Sequence, residues 1–270
     1  MPKRHYNPLE FGVFCDGTAQ GPFLLGHRFP TDVLLFRIAM TAPMHCPTTL
    51  APAKSALTSL VEAVSLAASR ALQIDEGELS GNWTPVAGTV DPNATAYFFL
   101  YDLLPGGAGY TRLVKQELEK VLDEAESLLS SCDCGSSCYQ CLRHYRNNYI
   151  HTSLDRHLAL SLLRYVRYGT IPNLSVDELS VAIRPLAEFT NLKNIAFELG
   201  VSRGGVVVPM VLRREDGSEV WIEVRHPLID GSACVTDVCR AAQDELVEYC
   251  HLDSHTLVHD LPSAVRELNI

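Results

Sequence analysis

Four cysteines lie within ten residues, Cys132-Asp-Cys134-Gly-Ser-Ser-Cys138-Tyr-Gln-Cys141, and no other feature of the chain constrains its folding so tightly. The spacing is C-x-C-x3-C-x2-C. Four thiolates satisfy a tetrahedral metal ion, and two close cysteine pairs can wrap one ion if the chain between them turns sharply. Gly135, Ser136 and Ser137 are small enough to permit that turn. A redox Cys-x-x-Cys at Cys138 and Cys141 would need neither Cys132 nor Cys134. The spacing therefore predicts one structural Zn²⁺, held by Cys132, Cys134, Cys138 and Cys141, with an iron–sulfur cluster as the competing occupant. With sulfur at all four positions, no place remains for an activated water, so the ion would build the fold and would not catalyse.

The flanking segments read as elements that such a knuckle would join. Val33 to Ile38 is an apolar strand, and Lys54 to Leu72 has an apolar face at helical spacing. A short strand follows over Ile74 to Trp83. Ala96 to Leu103 is aromatic and uninterrupted, which predicts a central strand buried on both faces. A long amphipathic helix is expected from Tyr110 to Ser130 before the cysteines, and a second from Ser153 to Tyr168 after them. Residues 169–192 read as a connector with a short helix. Val206–Leu212 and Glu219–Val224 read as a hairpin, followed by an acidic helix and a closing segment. The expected fold is α+β: a small mixed sheet flanked by helices, a four-cysteine knuckle between two helices, and a C-terminal β-hairpin plus helix. Two regions are expected, 1–170 with the zinc knuckle and 171–270 as an α/β extension.

Between the central strand and the long helix lies Pro105-Gly106-Gly107-Ala108-Gly109. Backbone N–H groups at a strand-to-helix junction can hold an anion, which makes Gly106, Gly107 and Gly109 a candidate anion-binding turn; a tight turn needing positive φ is the equal alternative. No Lys-Ser or Lys-Thr follows, so this is not a nucleotide P-loop, and no other stretch supplies one. ATP hydrolysis by this chain alone is not expected.

Net charge is −10, which excludes nucleic-acid binding over the whole surface, because phosphate contacts need Lys and Arg. The sign reverses locally. From Leu142 to Thr170 there are five arginines, with Asp155 as the sole acid and tyrosines and histidines interleaved. Arginine for phosphates and tyrosine for bases is the mixture used on single strands. Arg143, Arg146, Arg156 and Tyr145 are thus the candidate contacts to DNA or RNA, while Arg164 and Arg167 read as helix-lining. The opposing reading pairs Arg143 and Arg146 with the acidic face of the preceding helix and puts the tyrosines in the core. The other five cysteines, Cys15, Cys46, Cys234, Cys239 and Cys250, read as small buried apolar side chains. The N-terminus lacks a signal-peptide core, and no stretch approaches the roughly 18 apolar residues of a membrane span, so a soluble cytoplasmic protein is expected.

The strand, Tyr101-Asp102-Leu-Leu-Pro-Gly-Gly-Ala-Gly, the long helix, the four cysteines, Asn147-Asn148 and Leu154-Asp155-Arg156 together resemble the MrfA-type zinc-binding domain. Leu25-Gly26-His27, Thr31-Asp32 and the Ser55 to Ile74 helix resemble the segment that precedes it. The resemblance covers about residues 23–168. It implies a zinc-stabilised module found at the end of superfamily 2 helicases and in phage-defence subunits, here without the motor. A helicase or ATPase subunit is then the expected partner, nucleic acid the expected ligand, and phage defence or DNA repair the expected setting. Two alternatives remain: a metal-dependent nuclease built from Glu198, Asp216 and Glu223, with Arg225 where such enzymes place Lys, or a structural protein–protein adaptor. His226 and His251 read as surface residues.

Overall fold

The computed structural model describes residues 28–86, 96–214, 216–231 and 236–270. The expectations for Leu25-Gly26-His27, Cys15 and Cys234 lie outside these residues. The architecture is α+β with two small sheets, each with its own hydrophobic core.

The first sheet is antiparallel, with order β1 (Val33–Ile38), β3 (Ala96–Asp102), β2 (Leu79–Pro85). The aromatic strand β3 is central, as expected. It is buried on one face only, however: Ala96, Phe98, Leu100 and Asp102 point inward, and Tyr97, Phe99 and Tyr101 are half-buried. A strand in a one-sided antiparallel sheet alternates in this way, and aromatic outer residues hide that alternation from a hydropathy count.

Helix α1 (Ala51–Leu72) lies against the inner face and also packs on the helices that flank the knuckle. Twelve of its residues are buried, and five of them are alanines. The alanines let neighbouring helices approach closely while Leu57, Leu60, Val61 and Val64 fill the core. The expected long helix is two, α2 (Tyr110–Gln116) and α3 (Leu118–Ser130), separated at Glu117, whose φ of −104° and ψ of 25° leave the helical region. After the cysteines come a 3-10 segment (Tyr145–Ser153) and α4 (Arg156–Tyr168). Asp155 caps α4 by accepting the N–H groups of His157 and Leu158.

Beyond α4 the chain is more regular than its sequence suggests. The connector contains a 17-residue helix, α5 (Val176–Leu192), started by a Ser175–Glu178 capping box. The hairpin of β5 (Val206–Arg213) and β6 (Glu219–Arg225) forms as expected. It is the middle of a four-stranded mixed sheet, β4-β5-β6-β7, whose edges are β4 (Ala196–Arg203) and β7 (Glu248–Asp253), with β7 parallel to β6. Met210, Leu212, Val220 and Ile222 pack with residues of α5, α7 (Ser254–His259) and α8 (Leu261–Glu267). Val211 and Trp221 pack with α6 (Asp237–Asp244) on the opposite side. Residues 228–230 attach to the loop after β1: Asp230 donates its N–H to Pro43, His45 donates to Leu228, and Leu228 enters the first core. No described helix is long and apolar enough to cross a membrane.

Cys46 is fully buried, with its thiol pushed up to about 12 by burial. Cys239 and Cys250 are only half-buried. His226 is not a surface residue: it is 8% exposed, and its Nδ1 accepts the N–H of Leu228. Burial pulls its imidazole down to about 4, against a smaller opposing pull from Glu178. The folded state therefore keeps His226 neutral where the unfolded chain protonates it. Its contribution to the pH dependence of stability is nil above the unfolded pKa of about 6.5, and stability falls as pH drops from there toward 4, by roughly 3 kcal/mol in total. Urea unfolding of wild type and His226→Asn across that window should show a clearly flatter pH dependence in the variant.

Candidate metal centre and its surroundings

The cysteine run leaves the C-terminal end of α3 and turns back at once. The four sulfurs lie within 4.8 Å of one another. Cys132 and Cys138 Sγ are 3.5 Å apart, Cys134 and Cys141 3.6 Å, and Cys138 and Cys141 3.8 Å. A tetrahedron with metal–sulfur bonds of about 2.3 Å has edges of about 3.8 Å, so the set fits one Zn²⁺, and its separations are far longer than a disulfide of about 2.05 Å. All four thiols are free. The N–H of Gln140 points at Cys138 Sγ and lowers that thiol to about 7, whereas burial raises Cys134 to about 12. The N–H of Cys138 likewise points at Cys141 Sγ, at 3.2 Å. Such N–H groups stabilise thiolate charge and orient the ligands.

The residues behind the sulfurs hold the knuckle in place. Arg156 was expected to touch nucleic acid. It is instead 8% exposed: its Nε donates to the carbonyl of Cys134 (2.9 Å) and its Nη1 to that of Leu129 (3.1 Å). Its own N–H donates to the carbonyl of Ser136 (2.7 Å). One guanidinium thus ties the start of α4 to the knuckle and to the last turn of α3, where carbonyl dipoles favour a cation. Arg143 donates to Ser137 Oγ across the turn. Asn147 is buried and donates to the Leu142 carbonyl and to Glu62 of α1, which also takes the imidazole of His144. Arg164 and Arg167 bind Glu126 and Asp123 of α3, so their charge is neutralised inside the helix pair. Sequence alone had pointed to neither Glu62 nor the structural role of Asn147.

The glycine turn already holds an anion, and that anion belongs to the chain. The fully buried carboxylate of Asp102 accepts the N–H groups of Ala108 (2.7 Å), Tyr110 (3.1 Å) and Thr111 (3.0 Å). Gly106, Gly107 and Gly109 all have positive φ, as a tight turn demands. Gly107 also admits Asp32, since a Cβ there would lie 2.8 Å from its carboxylate, and Thr31 donates to the Asp102 carbonyl. The expectation of an external anion at Gly106, Gly107 and Gly109 is corrected: Asp102 fills that role.

Glu198, Asp216 and Glu223 do not form a metal site. Among the described residues, the four cysteines are the only cluster that could hold an ion. Glu198 is exposed on β4 near Arg203, Asp216 caps its own turn through Ser218, and Glu223 accepts from Thr236 and Tyr249. They are apart because they sit on an edge strand, a turn and an inner strand.

What remains open to solvent is aromatic. Tyr139, Tyr145 and Tyr149 are 72%, 85% and 80% exposed. They stand on the knuckle and on the 3-10 segment it leads into, so these three tyrosines are not core. Arg146 is exposed beside them, leaning on Gly77, whose carbonyl takes its Nη1.

A four-thiolate knuckle set between helices and clamped from behind by Arg156 defines a structural zinc module. Residues 60–142, from within α1 through the last ligand, match the model of the MrfA Zn-binding domain. It is also 37% identical over 186 residues to the Druantia protein DruE of Escherichia coli (strain UMEA 4076-1), a match that takes 67% of this chain. The chain spans about a tenth of that relative's length, since the match covers 10% of it. Among solved structures, a crystal structure of the DUF1998 helicase MrfA bound to DNA is similar at 19% identity and a TM-score of 0.31, covering 41% of this chain and 14% of that one.

Elemental mass spectrometry should find about one zinc per chain, and Cys138→Ser should lose it together with cooperative unfolding. Arg156→Met keeps the packing and deletes the clamp. It should lower stability by about 2–3 kcal/mol, read as a fall in the denaturation midpoint, because two buried carbonyls lose a charged donor.

Proposed function

We propose that this chain is a non-catalytic zinc-binding module that holds nucleic acid, single strands in particular, for a helicase-type motor in cytoplasmic phage defence. In this reading residues 1–170 are the contact module and residues 171–270 a supporting extension. The observation that carries it is the trio of exposed tyrosines, Tyr139, Tyr145 and Tyr149, presented on the segment that the metal centre shapes. Large aromatic rings left in water cost stability unless they serve a partner, and base stacking is the partner interaction that accepts any sequence. Arg146 stands beside Tyr145 and Tyr149 and supplies positive charge for phosphate in a chain of net charge −10. The motor and the setting are argued from the kinship to DruE and from the helicase-associated zinc-domain family.

Fluorescence anisotropy with labelled single-stranded and duplex DNA at low salt tests the contact. The expected result is preferential single-strand binding that weakens steeply with salt. Tyr145→Ala should lose about tenfold in affinity, since stacking contributes roughly 1–3 kcal/mol per base, and Arg146→Ala should reduce the salt slope. Absence of any binding at low salt would overturn the reading and favour a protein–protein adaptor.

A further inference from the structure

The tyrosine-bearing segment forms one wall of a cleft of about 290 Å³. The opposite wall is one face of α1, from Glu62 through Ser65 to Ser69, and the turn into β2 closes the end. Its chemistry is layered. Leu66, Leu79 and Leu103 supply apolar sides. Polar groups converge between them: the Glu62 carboxylate, the His144 ring and the Asn147 amide. Apolar walls around a few fixed polar groups are the usual make-up of a small-ligand cleft.

The polar groups are fixed but not exhausted. Glu62 Oε2 takes both His144 Nε2 (3.1 Å) and Asn147 Nδ2 (3.0 Å). Asn147 Oδ1 in turn accepts the backbone N–H of His144 and faces His151 Nε2. The carboxylate is thereby locked in orientation, and its other oxygen, Oε1, has no hydrogen-bond partner among the described residues. Ser65 Oγ is sealed from solvent beneath β2, so Glu62 Oε1 is the acceptor left open to the cleft. Gly81 seats β2 close on α1 beneath the cleft: a Cβ there would lie 2.6 Å from Val61 Cγ1 and 2.8 Å from Ser65 Oγ. The rim carries Tyr145 and Tyr149, both strongly exposed, with Arg146 between them in sequence.

We propose that this cleft is a nucleobase site selective for guanine, in which one base of a single strand enters while its neighbours stack on Tyr145 and Tyr149. The inference rests on the reading of the module as a single-strand contact and adds base selectivity to it. An ionised carboxylate only accepts hydrogen bonds. Guanine alone among the bases sets two donors, its ring N1–H and its amino N2–H, side by side on the Watson–Crick edge. Adenine and cytosine place an acceptor beside their amino group, and thymine flanks its single N–H with two carbonyls, so each of these turns a lone pair toward Glu62. Single-strand readers commonly take splayed bases on that edge. The acidic floor repels phosphate, which keeps the backbone outside at Arg146.

The test uses the zinc-loaded full chain and short thymidine oligonucleotides with one central position varied: dG, dA, dC, dT, or an abasic sugar. All five strands carry the same phosphates. The dG strand should bind about tenfold more tightly than the abasic and dT strands, and Glu62→Gln, which replaces an acceptor oxygen by a donor, should erase that preference. Tyr149→Ala, an exposed change that leaves the core intact, should weaken all five strands alike and leave the dG advantage in place. Equal binding of dG and abasic strands by the wild-type protein would overturn the base site while leaving a phosphate-and-stacking contact standing. Failure to bind any strand would overturn both. A dG preference that survives Glu62→Gln in a folded, zinc-bearing variant would also overturn the assignment.

Discussion

The Arg156 guanidinium lies at the convergence of everything around the metal centre. It donates to Cys134 inside the knuckle and to Leu129 at the end of α3, while its backbone begins α4. Four thiolates would fix ten residues of chain around an ion, but an ion alone does not orient that loop against the rest of the domain. The clamp does so by placing a buried cation where carbonyl dipoles point. Helices α3 and α4 are then held together further out by Arg164 and Arg167 on Glu126 and Asp123. The consequence for function is geometrical: the chain emerges from Cys141 in a fixed direction, and the 3-10 segment with its exposed tyrosines is delivered against α1.

A buried carboxylate does similar work at the junction of β3 and α2. Asp102, at the end of the central strand, satisfies three N–H groups at the start of α2. A helix N-terminus is a ready anion site, and this chain closes it with its own carboxylate. The glycines permit the turn, and Thr31 secures the strand end from β1's side. The strand-to-helix junction is thus tied internally by its own carboxylate.

The second sheet contributes differently. Its mixed order buries Trp221 and Ile222 on opposite faces between helical layers, and its acidic residues are engaged locally. Glu223 serves Tyr249 and Thr236, and Arg225 reaches Tyr249 and the Gly231 carbonyl. These are bonds that brace strands β6 and β7 and the segment after them. Segment 228–230 fastens this sheet to the loop behind β1.

Local patterns written in the sequence were sufficient for some features. The four cysteines announce a metal site because ligand spacing is a short-range property, and β1, α1, β3 and the β5–β6 hairpin follow from periodicity and turn chemistry within a few residues. The likeness of residues 60–142 to the MrfA Zn-binding domain is legible for the same reason. Other features depend on residues far apart in the chain, and only the tertiary structure decided them. An arginine followed by helix reads the same whether it faces phosphate or buried carbonyls, so Arg143, Arg146 and Arg156 looked alike, and only packing separates a clamp from a surface charge. The glycine turn reads as an anion site until Asp102 is seen to fill it. Strands β4 and β7 have little apolar signal of their own because they are edges, whose stability comes from the partner strand. Glu62 and Asn147 are 85 positions apart, and no local pattern relates them. Spacing along the chain determined which atoms could bind a metal; burial and long-range hydrogen bonding decided which charges remain free to meet a ligand.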